Sequence, residues 1–428
     1  MKDSKKSIWS WAFYDWANSA FATTVMAGFF PVFFKAYWST GASVQQSTFY
    51  LGFANSSASI VVAALAPFLG AIADRGSIKK GLLIFFAYLG CIMTGGLWFV
   101  QMGQWPIAIL FYIIATIGFS GANIFYDSLL PDVASASKVD YTSSLGFGLG
   151  YIGGGLLFLV NVGMYLKPEI FGIADGETAI RIAFITVAIW WALFSIPIML
   201  FVEEPKNIDS VPISKAVRAG FIQLKQTFKK IQHLKVVGIF LIAYWFYIDG
   251  VDTIIRMAVD YGTSIGFPSE SLIIALLLVQ FVAFPATLLY NLFAKKIGVK
   301  QALIVAIIAY SCIAILGYFM NQVWHFYMLA VFVGLFQGGI QALSRSFYTR
   351  LIPKEQSAEF FGFFNLLGKF AAVIGPVLMG SVTLLTGSNR LGILSIIILF
   401  IVGGVMLTKV NEEEGKRNLV AYRNNPIS

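Results

Sequence analysis

Two segments of this chain align without a gap: Phe125 to Gly154 (FYDSLLPDVASASKVDYTSSLGFGLGYIGG) and Phe347 to Pro376 (FYTRLIPKEQSAEFFGFFNLLGKFAAVIGP). Identical residues coincide at Phe125/Phe347, Tyr126/Tyr348, Leu129/Leu351, Pro131/Pro353, Gly146/Gly368 and Gly153/Gly375. A second pair, FYDWANS from Phe13 and FYIDGVDT from Phe246, aligns when one residue is inserted, which matches Asp15 with Asp249 and Asn18 with Asp252. The chain is therefore predicted to contain two related halves.

The composition places these halves in a membrane. Of 428 residues, 58% are hydrophobic and only 12% are charged, whereas a soluble domain is about half apolar and a quarter charged. Uncharged runs such as IVVAALAPFLGAIA, WPIAILFYIIATIGF and GILSIIILFIVGGVML belong to stretches of roughly 20 residues, the length that a helix needs to cross a bilayer. These runs do not alternate every second residue, so a membrane barrel is disfavoured.

The apolar stretches predict an all-α integral membrane protein with twelve transmembrane helices in two six-helix halves. We place the helices at 9–36, 48–73, 81–101, 105–127, 143–166, 179–202, 235–260, 269–294, 301–320, 324–348, 358–385 and 390–409. The corresponding domains are an amino-terminal bundle (1–202), a cytoplasmic linker (203–234), a carboxy-terminal bundle (235–410) and a cytoplasmic tail (411–428).

The net charge of +9 reflects topology rather than a nucleic-acid partner. Nearly all lysines and arginines fall in loops on one side of the twelve-helix arrangement, and the opposite loops carry few beyond Lys167, Arg181 and Arg390. This is the positive-inside asymmetry, which predicts that both termini and the linker are cytoplasmic. The basic loops also suit contact with anionic membrane lipid.

Residue types that support enzyme, metal or nucleotide chemistry are sparse. Cys91 and Cys312 have no CxxC or Cys/His neighbourhood, and the chain has only two histidines. Gly148-x-Gly150-x-x-Gly153 matches the dinucleotide fingerprint, but it lies within a membrane span and lacks the required preceding strand. The spacing of Gly146, Gly150 and Gly154 instead predicts close helix packing. We expect no cofactor and no enzymatic activity.

The loop GAIADRGSIKK, from Gly70 to Lys80, resembles the signature of the major facilitator superfamily, with a glycine, a DR pair and basic residues. Ile78 stands where an arginine is frequent, and the corresponding second-half loop NLFAKKIGVKQ has Lys295 and Lys296 in place of the DR pair. The segments YDWANSAF, FYDSLLPDVA, GYIGGG, YIDGVDTII and EFFGFFNLLGKFA resemble the branch named after the autophagy-related vacuolar amino acid effluxer. This resemblance implies transport of amino acids or similar small solutes.

Polar residues in the first predicted helix are candidates for a solute site. Asp15 and Asn18 are three residues apart and project from one helix face, and Tyr14 is a candidate to line the same cavity. An acid within a membrane span indicates a functional site by default. The alternative is that Asp15 pairs with a neighbouring helix or is hydrated near the cytoplasmic surface.

The seventh predicted helix carries Asp249, Asp252, Arg256 and Asp260 on one face. Arg256 is four residues from both Asp252 and Asp260, so a structural pair within the helix would also explain these charges. Asp249 lies near the middle of the membrane without such a partner, and we interpret it as a cavity residue.

The tenth and eleventh predicted helices supply Gln341, Arg345, Asn365 and Lys369. A guanidinium group suits bidentate capture of a carboxylate, so an amino-acid-like solute would place its carboxylate at Arg345 and its ammonium at an aspartate. Arg345 is also about one turn from the cytoplasmic end of its helix, and there it would instead be part of a gate.

The superfamily resemblance implies a cytoplasmic gate built from Asp74, Arg75 and Asp127. An acid at the position of Asp127 is expected to pair with the basic loop after the second helix, here through Arg75. Asp74 is expected to interact with the amino-terminal end of the eleventh helix, near Glu359, where unpaired N–H groups favour a carboxylate.

These features predict a transporter or facilitator that moves a small polar, amino-acid-like solute by alternating access, with a coupled proton carried by Asp15. The alternatives are a proton-coupled importer of sugars or peptides and a membrane scaffold or sensor that does not transport. We expect a monomer in the inner membrane of a bacterium, without a nucleic-acid partner.

Overall fold

The computed structural model describes the chain apart from residues 1, 43, 206–214, 220–221, 224, 226–233 and 425–428. The side chains of residues 44–45, 48–49, 259–260, 263–264, 269–270, 369–373 and 422–424 are outside the description as well. Most of the predicted linker, 203–234, therefore lies outside the described residues, and the division into four predicted segments stays a prediction.

Twelve long helices, α1 to α12, account for most of the described residues, and a thirteenth, α13, follows them. Their bounds are α1 Lys5–Trp38, α2 Val44–Gly76, α3 Lys79–Phe99, α4 Trp105–Val133, α5 Val139–Leu166, α6 Gly176–Phe201, α7 Lys235–Ser264, α8 Ser269–Ile297, α9 Val299–Tyr318, α10 Val323–Leu351, α11 Ser357–Thr386, α12 Asn389–Thr408 and α13 Glu412–Asn424.

These helices confirm the predicted all-α membrane fold. Within the described residues, eleven helices are long and apolar enough to cross a membrane. The remaining long helix, α11, has 30 residues and therefore a length of about 45 Å, which also exceeds the thickness of the hydrocarbon core. The first helix begins earlier than predicted, at Lys5, where the Ser4 side chain accepts a hydrogen bond from the backbone N–H of Ser7.

Local sequence signals set several helix ends. Gly387, at φ 67°, ends α11 in the left-handed conformation that glycine favours, and the next residue, Ser388, caps α12 by accepting from the N–H of Leu391. Asp175 caps α6 in the same way through the N–H of Thr178, at 2.7 Å. Short polar turns therefore separate neighbouring apolar helices.

Both ends of the chain lie on one face of the helix bundle, which we call the terminal face. The backbone N–H of Asp3 donates to the carbonyl of Val133 at the end of α4. The Lys300 ammonium group, at the start of α9, donates to the carbonyl groups of Thr408 and Val410 at the end of α12. Glu204, just after α6, accepts from the N–H groups of Lys79 and Lys80 at the start of α3.

Glycines allow the closest contacts between helices. A Cβ atom on Gly146, Gly150 or Gly154 would lie 2.6, 2.6 or 2.9 Å from an atom of α1, so the predicted packing role of this glycine face is confirmed. Between the two halves, a Cβ on Gly362 of α11 would lie 2.7 Å from the carbonyl oxygen of Ala66 on α2. The α2–α11 contact therefore joins the two halves near the terminal face.

Candidate functional site

Arg345 of α10 is at the centre of a buried polar cluster between the two halves. Its side chain is nearly inaccessible, with 3% of the residue exposed. The guanidinium group donates through Nε to Ser143 Oγ at 2.9 Å and through a terminal nitrogen to the Ser143 carbonyl at 3.0 Å, both on α5. A second-half cation is thus held by a first-half helix.

Two first-half carboxylates complete the coordination of Arg345. Asp127 of α4 accepts from it at 3.0 Å, and Asp15 of α1 accepts at 3.4 Å. With the two bonds to Ser143, four of the five guanidinium N–H groups are engaged. Arg345 is thus engaged by protein groups in this conformation, so its predicted binding of a solute carboxylate stays a prediction, and the predicted alternative, a gate partner, agrees with the geometry.

Aromatic rings surround the same guanidinium group. Its central carbon lies 4.2 Å from the ring centroid of Phe147 and 4.9 Å from that of Trp11. The Tyr126 hydroxyl donates to Asp15 at 2.8 Å, and the Tyr126 ring stacks on Trp11 with centroids 4.2 Å apart. These rings exclude water from the ion pairs. Without water the attraction between the charges is stronger, and a charge that loses its partner destabilises the protein more.

Asp127 has a second partner on α11, and it is not the partner that the resemblance implied. The Asn365 amide donates to Asp127 at 3.3 Å and to the carbonyl of Phe361 at 3.0 Å. The predicted pair of Arg75 with Asp127 is wrong: in the part of the chain that the structure describes, the cation paired with Asp127 is Arg345. The position of Arg75 next to the loop after α2 did not show that Arg345, on α10, is the residue that pairs with Asp127.

A second polar layer lies nearer the terminal face and includes Asp74. This carboxylate accepts from the backbone N–H groups of Ala358 and Glu359, at 3.2 and 2.9 Å, at the amino end of α11. This is the contact that the superfamily resemblance implied for Asp74. A first-half acid therefore stabilises the positive end of a second-half helix.

Lys79 and Asp132 join this layer and were missed by the sequence analysis. The Lys79 ammonium lies 3.2 Å from Asp74, 3.6 Å from Asp132 and 2.8 Å from the Ser357 hydroxyl. Asp132 also pairs with Lys354 at 3.0 Å. Asp132 and Lys354 occupy matching positions in the two aligned segments, so their opposite charges were the signal that could have predicted this pair.

The outermost layer involves the tail helix. Arg350 at the end of α10 pairs with Asp140 of α5 and, at 3.4 Å, with Glu412 of α13. On the same face, burial raises the pKa of the Glu204 carboxyl above its usual range, although it accepts from two backbone N–H groups. The terminal face thus carries three successive polar layers, each with a contact between the halves.

Asp249 is placed differently from the prediction that it faces a solute cavity. It is fully buried within the second half, where its carboxylate accepts from the N–H of Gly375 at 3.0 Å and from the Thr253 hydroxyl at 3.2 Å. Because Pro376 follows Gly375 within α11, this acid sits at an interrupted part of that helix. In this conformation the contacts of Asp249 are within the second half, and the predicted pairing of Asp249 and Arg345 around a zwitterion stays a prediction.

The other predicted site residues of α7 and α11 have varied positions. Asp252 is half-buried, and Arg256 is exposed on α7. Lys369 lies on α11 and Asp260 on α7, and both side chains are outside the described residues.

Neutral polar groups face each other nearer the middle of the bundle. Asn18 donates to Asn123 of α4 at 2.6 Å, and Tyr151 of α5 donates to Gln341 of α10 at 2.5 Å. The second bond again joins the two halves. Tyr14 is completely buried and packs on Tyr126 with ring centroids 5.0 Å apart, so it supports the cluster rather than lining an open space.

Among the described residues, His, Cys, Asp and Glu side chains form no group that would hold a metal ion. The arrangement is suited to holding two halves together reversibly. Arg345 and Asp74 are buried and Arg350 and Lys354 are half-buried, and separation of the halves would break the contacts of all four.

The chain matches known proteins over nearly its whole length. The family model described as "Vacuole effluxer Atg22 like" matches residues 38–142 and 137–420. The uncharacterized MFS-type transporter YxiO of Bacillus subtilis (strain 168) is 41% identical, and the alignment covers 96% of each chain. Autophagy-related protein 22 of Saccharomyces cerevisiae (strain ATCC 204508 / S288c) is 26% identical over 80% of this chain and 74% of that protein.

Solved structures agree with the fold. The human organic anion transporter MFSD10 has a TM-score of 0.72 at 14% identity and covers 95% of this chain and 100% of its own. The proton:xylose symporter XylE has a TM-score of 0.71 at 16% identity, with 97% of each chain covered. The family match, the relatives and the shared architecture together show that the chain belongs to the Atg22-like family of major facilitator superfamily transporters.

Proposed function

We propose that the protein moves a small polar, amino-acid-like solute across the inner membrane of a bacterium by alternating access, as a monomer. The terminal face is the cytoplasmic face, because the basic loops lie on that side. With its terminal face closed, the molecule is in the state that is shut to the cytoplasm. The family's description as vacuole effluxers supports solute transport, and the amino-acid-like class rests on the resemblance together with the mixed charges of α1, α7 and α10.

The observation that carries this proposal is the cluster of Arg345 with Asp15 and Asp127. It joins helices of both halves and it is buried. Opening to the cytoplasm requires Arg345 to leave both carboxylates. In repeat-built transporters the halves rock about a site near the middle of the membrane, which here is the level of Asn18 and Gln341.

The same cluster supports coupling to a proton. Two carboxylates share one guanidinium group, so with every group ionised the cluster carries one negative charge in a buried site. One added proton neutralises it and weakens the hold on Arg345. Asp15 is the proton carrier, because its 3.4 Å contact with Arg345 is longer than the 3.0 Å contact of Asp127.

The solute site lies between the halves and uses neutral groups in this state. Asn18 and Asn123 present amides from the first half, and Gln341 presents one from the second. Asp252 and Arg256, on the α7 face that the sequence singled out, supply charges towards the other end of that helix. Arg345 reaches a solute carboxylate only after it leaves the aspartates.

The proposal is tested by transport after a ligand screen. Purified protein is first heated with a library of small metabolites, because a ligand that binds only the folded state raises the apparent melting temperature. Each hit is then tested for exchange in reconstituted vesicles. We expect at least one amino-acid-like hit to exchange, and Asn18→Ala and Gln341→Ala to weaken its binding more than Asn55→Ala, an exposed residue of α2. Exchange of sugars or peptides but of no amino-acid-like compound would contradict the proposed solute class.

A further inference from the structure

The second half contains an apolar, partly open cavity that is separate from the buried ion pairs. Its volume is about 100 Å³, and it is lined from α7 to α12 by side chains such as Ile254, Leu272, Val279, Ala314 and Phe326. An engineered apolar cavity of about 150 Å³ stays dry and binds benzene or xenon. A cavity with this lining therefore favours a compact apolar group over water.

One polar atom at this cavity lacks a hydrogen-bond partner among the described residues. Gln337 of α10 lines it and is 7% exposed, and the side-chain oxygen of Gln337 is buried without a hydrogen-bond partner in the described residues. An unpaired buried acceptor is destabilising, because it has lost its hydrogen bonds to water without gaining others. The hydroxyl of Tyr261, which also lines the cavity, is already paired with the carbonyl of Gly317 at 2.9 Å, so it does not compete for a ligand.

We propose that this cavity is a binding site for a compact aromatic ring that carries one hydroxyl group. The ring occupies the apolar volume, and its hydroxyl donates to the Gln337 side-chain oxygen. The ring alone would leave Gln337 unpaired, and water alone would lack polar partners over most of the lining. Shape therefore selects the size of the ligand, and Gln337 selects the hydroxyl.

The site has a structural route to the contact between the halves. Gln337 is one helical turn from Gln341, which accepts from Tyr151 of the first half. Gln280 of α8, another lining residue, packs against α5 at Gly155, where a Cβ atom would lie 2.9 Å from it. A ligand in the cavity thus contacts α8 and α10, the two helices that face the first half here. Its binding is measured without a transport assay.

The test compares 4-fluorophenol with fluorobenzene on the full chain in lipid nanodiscs, with fluorine NMR as the readout. The two probes differ by the hydroxyl group. Gln337→Leu removes the acceptor at similar volume, and we expect it to lower the ratio of 4-fluorophenol to fluorobenzene affinity about tenfold, the effect of one hydrogen bond of about 1.4 kcal/mol. Gln301→Leu is the matched control, because Gln301 is an exposed glutamine of the second half that does not line the cavity, and it should leave this ratio unchanged.

A variant that fills the cavity distinguishes binding at this site from partition of the probes into lipid. Ala330→Leu places three more carbon atoms among the lining residues and should abolish the bound signal of both probes. An unchanged affinity ratio in Gln337→Leu overturns the proposal. Saturable binding of both probes to folded Ala330→Leu, at the wild-type level, overturns it too, and the first comparison stands even if that variant does not fold.

Discussion

At the scale of single residues, Arg345 is the group on which the closed terminal face depends. It neutralises Asp15 and Asp127 only in part, and removing its charge leaves two buried carboxylates without a cation. Breaking a buried ion pair by removing one partner costs about 3–5 kcal/mol. Arg345→Gln should therefore lower the melting temperature of the purified protein clearly, whereas Arg256→Gln, at an exposed site on α7, should change stability by less than about 0.5 kcal/mol.

The double variant Asp15→Asn/Arg345→Gln restores the original net charge of the cluster and separates charge imbalance from lost packing. We expect it to regain a large part of the stability lost in Arg345→Gln. A double variant that melts no higher than Arg345→Gln would show that the guanidinium group acts through its packing against Trp11 and Phe147 rather than through its charge.

The sequence identified individual functional residues better than it identified the contacts between them. Asp15 and Arg345 could be identified because charges within apolar helices are costly and indicate a functional site, and Asp127 was implied by the superfamily resemblance. Their mutual contact could not, because it joins positions more than 200 residues apart, and helical spacing reports only neighbours within one helix. The superfamily resemblance implied Arg75 as the partner of Asp127, whereas the structure pairs Asp127 with Arg345. The contact of Asp249 with the backbone of α11 could not be predicted from helical spacing either.

At the scale of helices, the contact of α2 with α11 decides how closely the halves approach. Gly362 of α11 faces the backbone of Ala66 and Pro67, with no space for a side chain, whereas a Cβ on Gly380 of the same helix meets no atom within 4 Å. Gly362→Val should therefore separate the two helices and shift the population towards the state open at the terminal face. The measurement is labelling of single cysteines introduced at Ser128 and Ser357, which are buried in the closed state. Gly380→Val should leave labelling near the wild-type level, and equal labelling in the two variants would contradict this role of Gly362.

The order of the helices was predictable and their pairing was predictable only in part. Hydropathy placed all twelve spans to within a few residues, because each must cross the same thickness of hydrocarbon. The glycine face of α5 indicated a close neighbour, and that neighbour is α1. The α2–α11 contact followed from the family resemblance through Asp74, and no periodicity within either helix identifies its partner.

At the scale of the whole molecule, the internal repeat and the asymmetry of its charges belong together. The aligned segments give the halves one architecture, yet the first half supplies Asp127, Asp132 and Asp140 where the second supplies Thr349, Lys354 and Gly362. Two identical halves would repel one another at these positions, whereas Asp132 pairs with Lys354 and Asp140 pairs with Arg350. Divergence of the repeats therefore produced ion pairs that join the halves at the terminal face, and under the proposed function these pairs break when the face opens.

Coupling of this opening to a proton gives a prediction for the complete transport cycle. If Asp15 takes up a proton to release Arg345, Asp15→Asn resembles the protonated state permanently. The variant should then exchange solute across vesicle membranes but lose accumulation driven by a pH gradient, because its cluster no longer changes charge during the cycle. Solute uptake and the signal of a pH-sensitive dye are measured in the same vesicles, with Asn18→Ala as a control that alters the neutral groups and keeps the carboxylate. If wild-type protein moves solute down its gradient without proton flux, Asp15 serves only the gate and the protein is a facilitator.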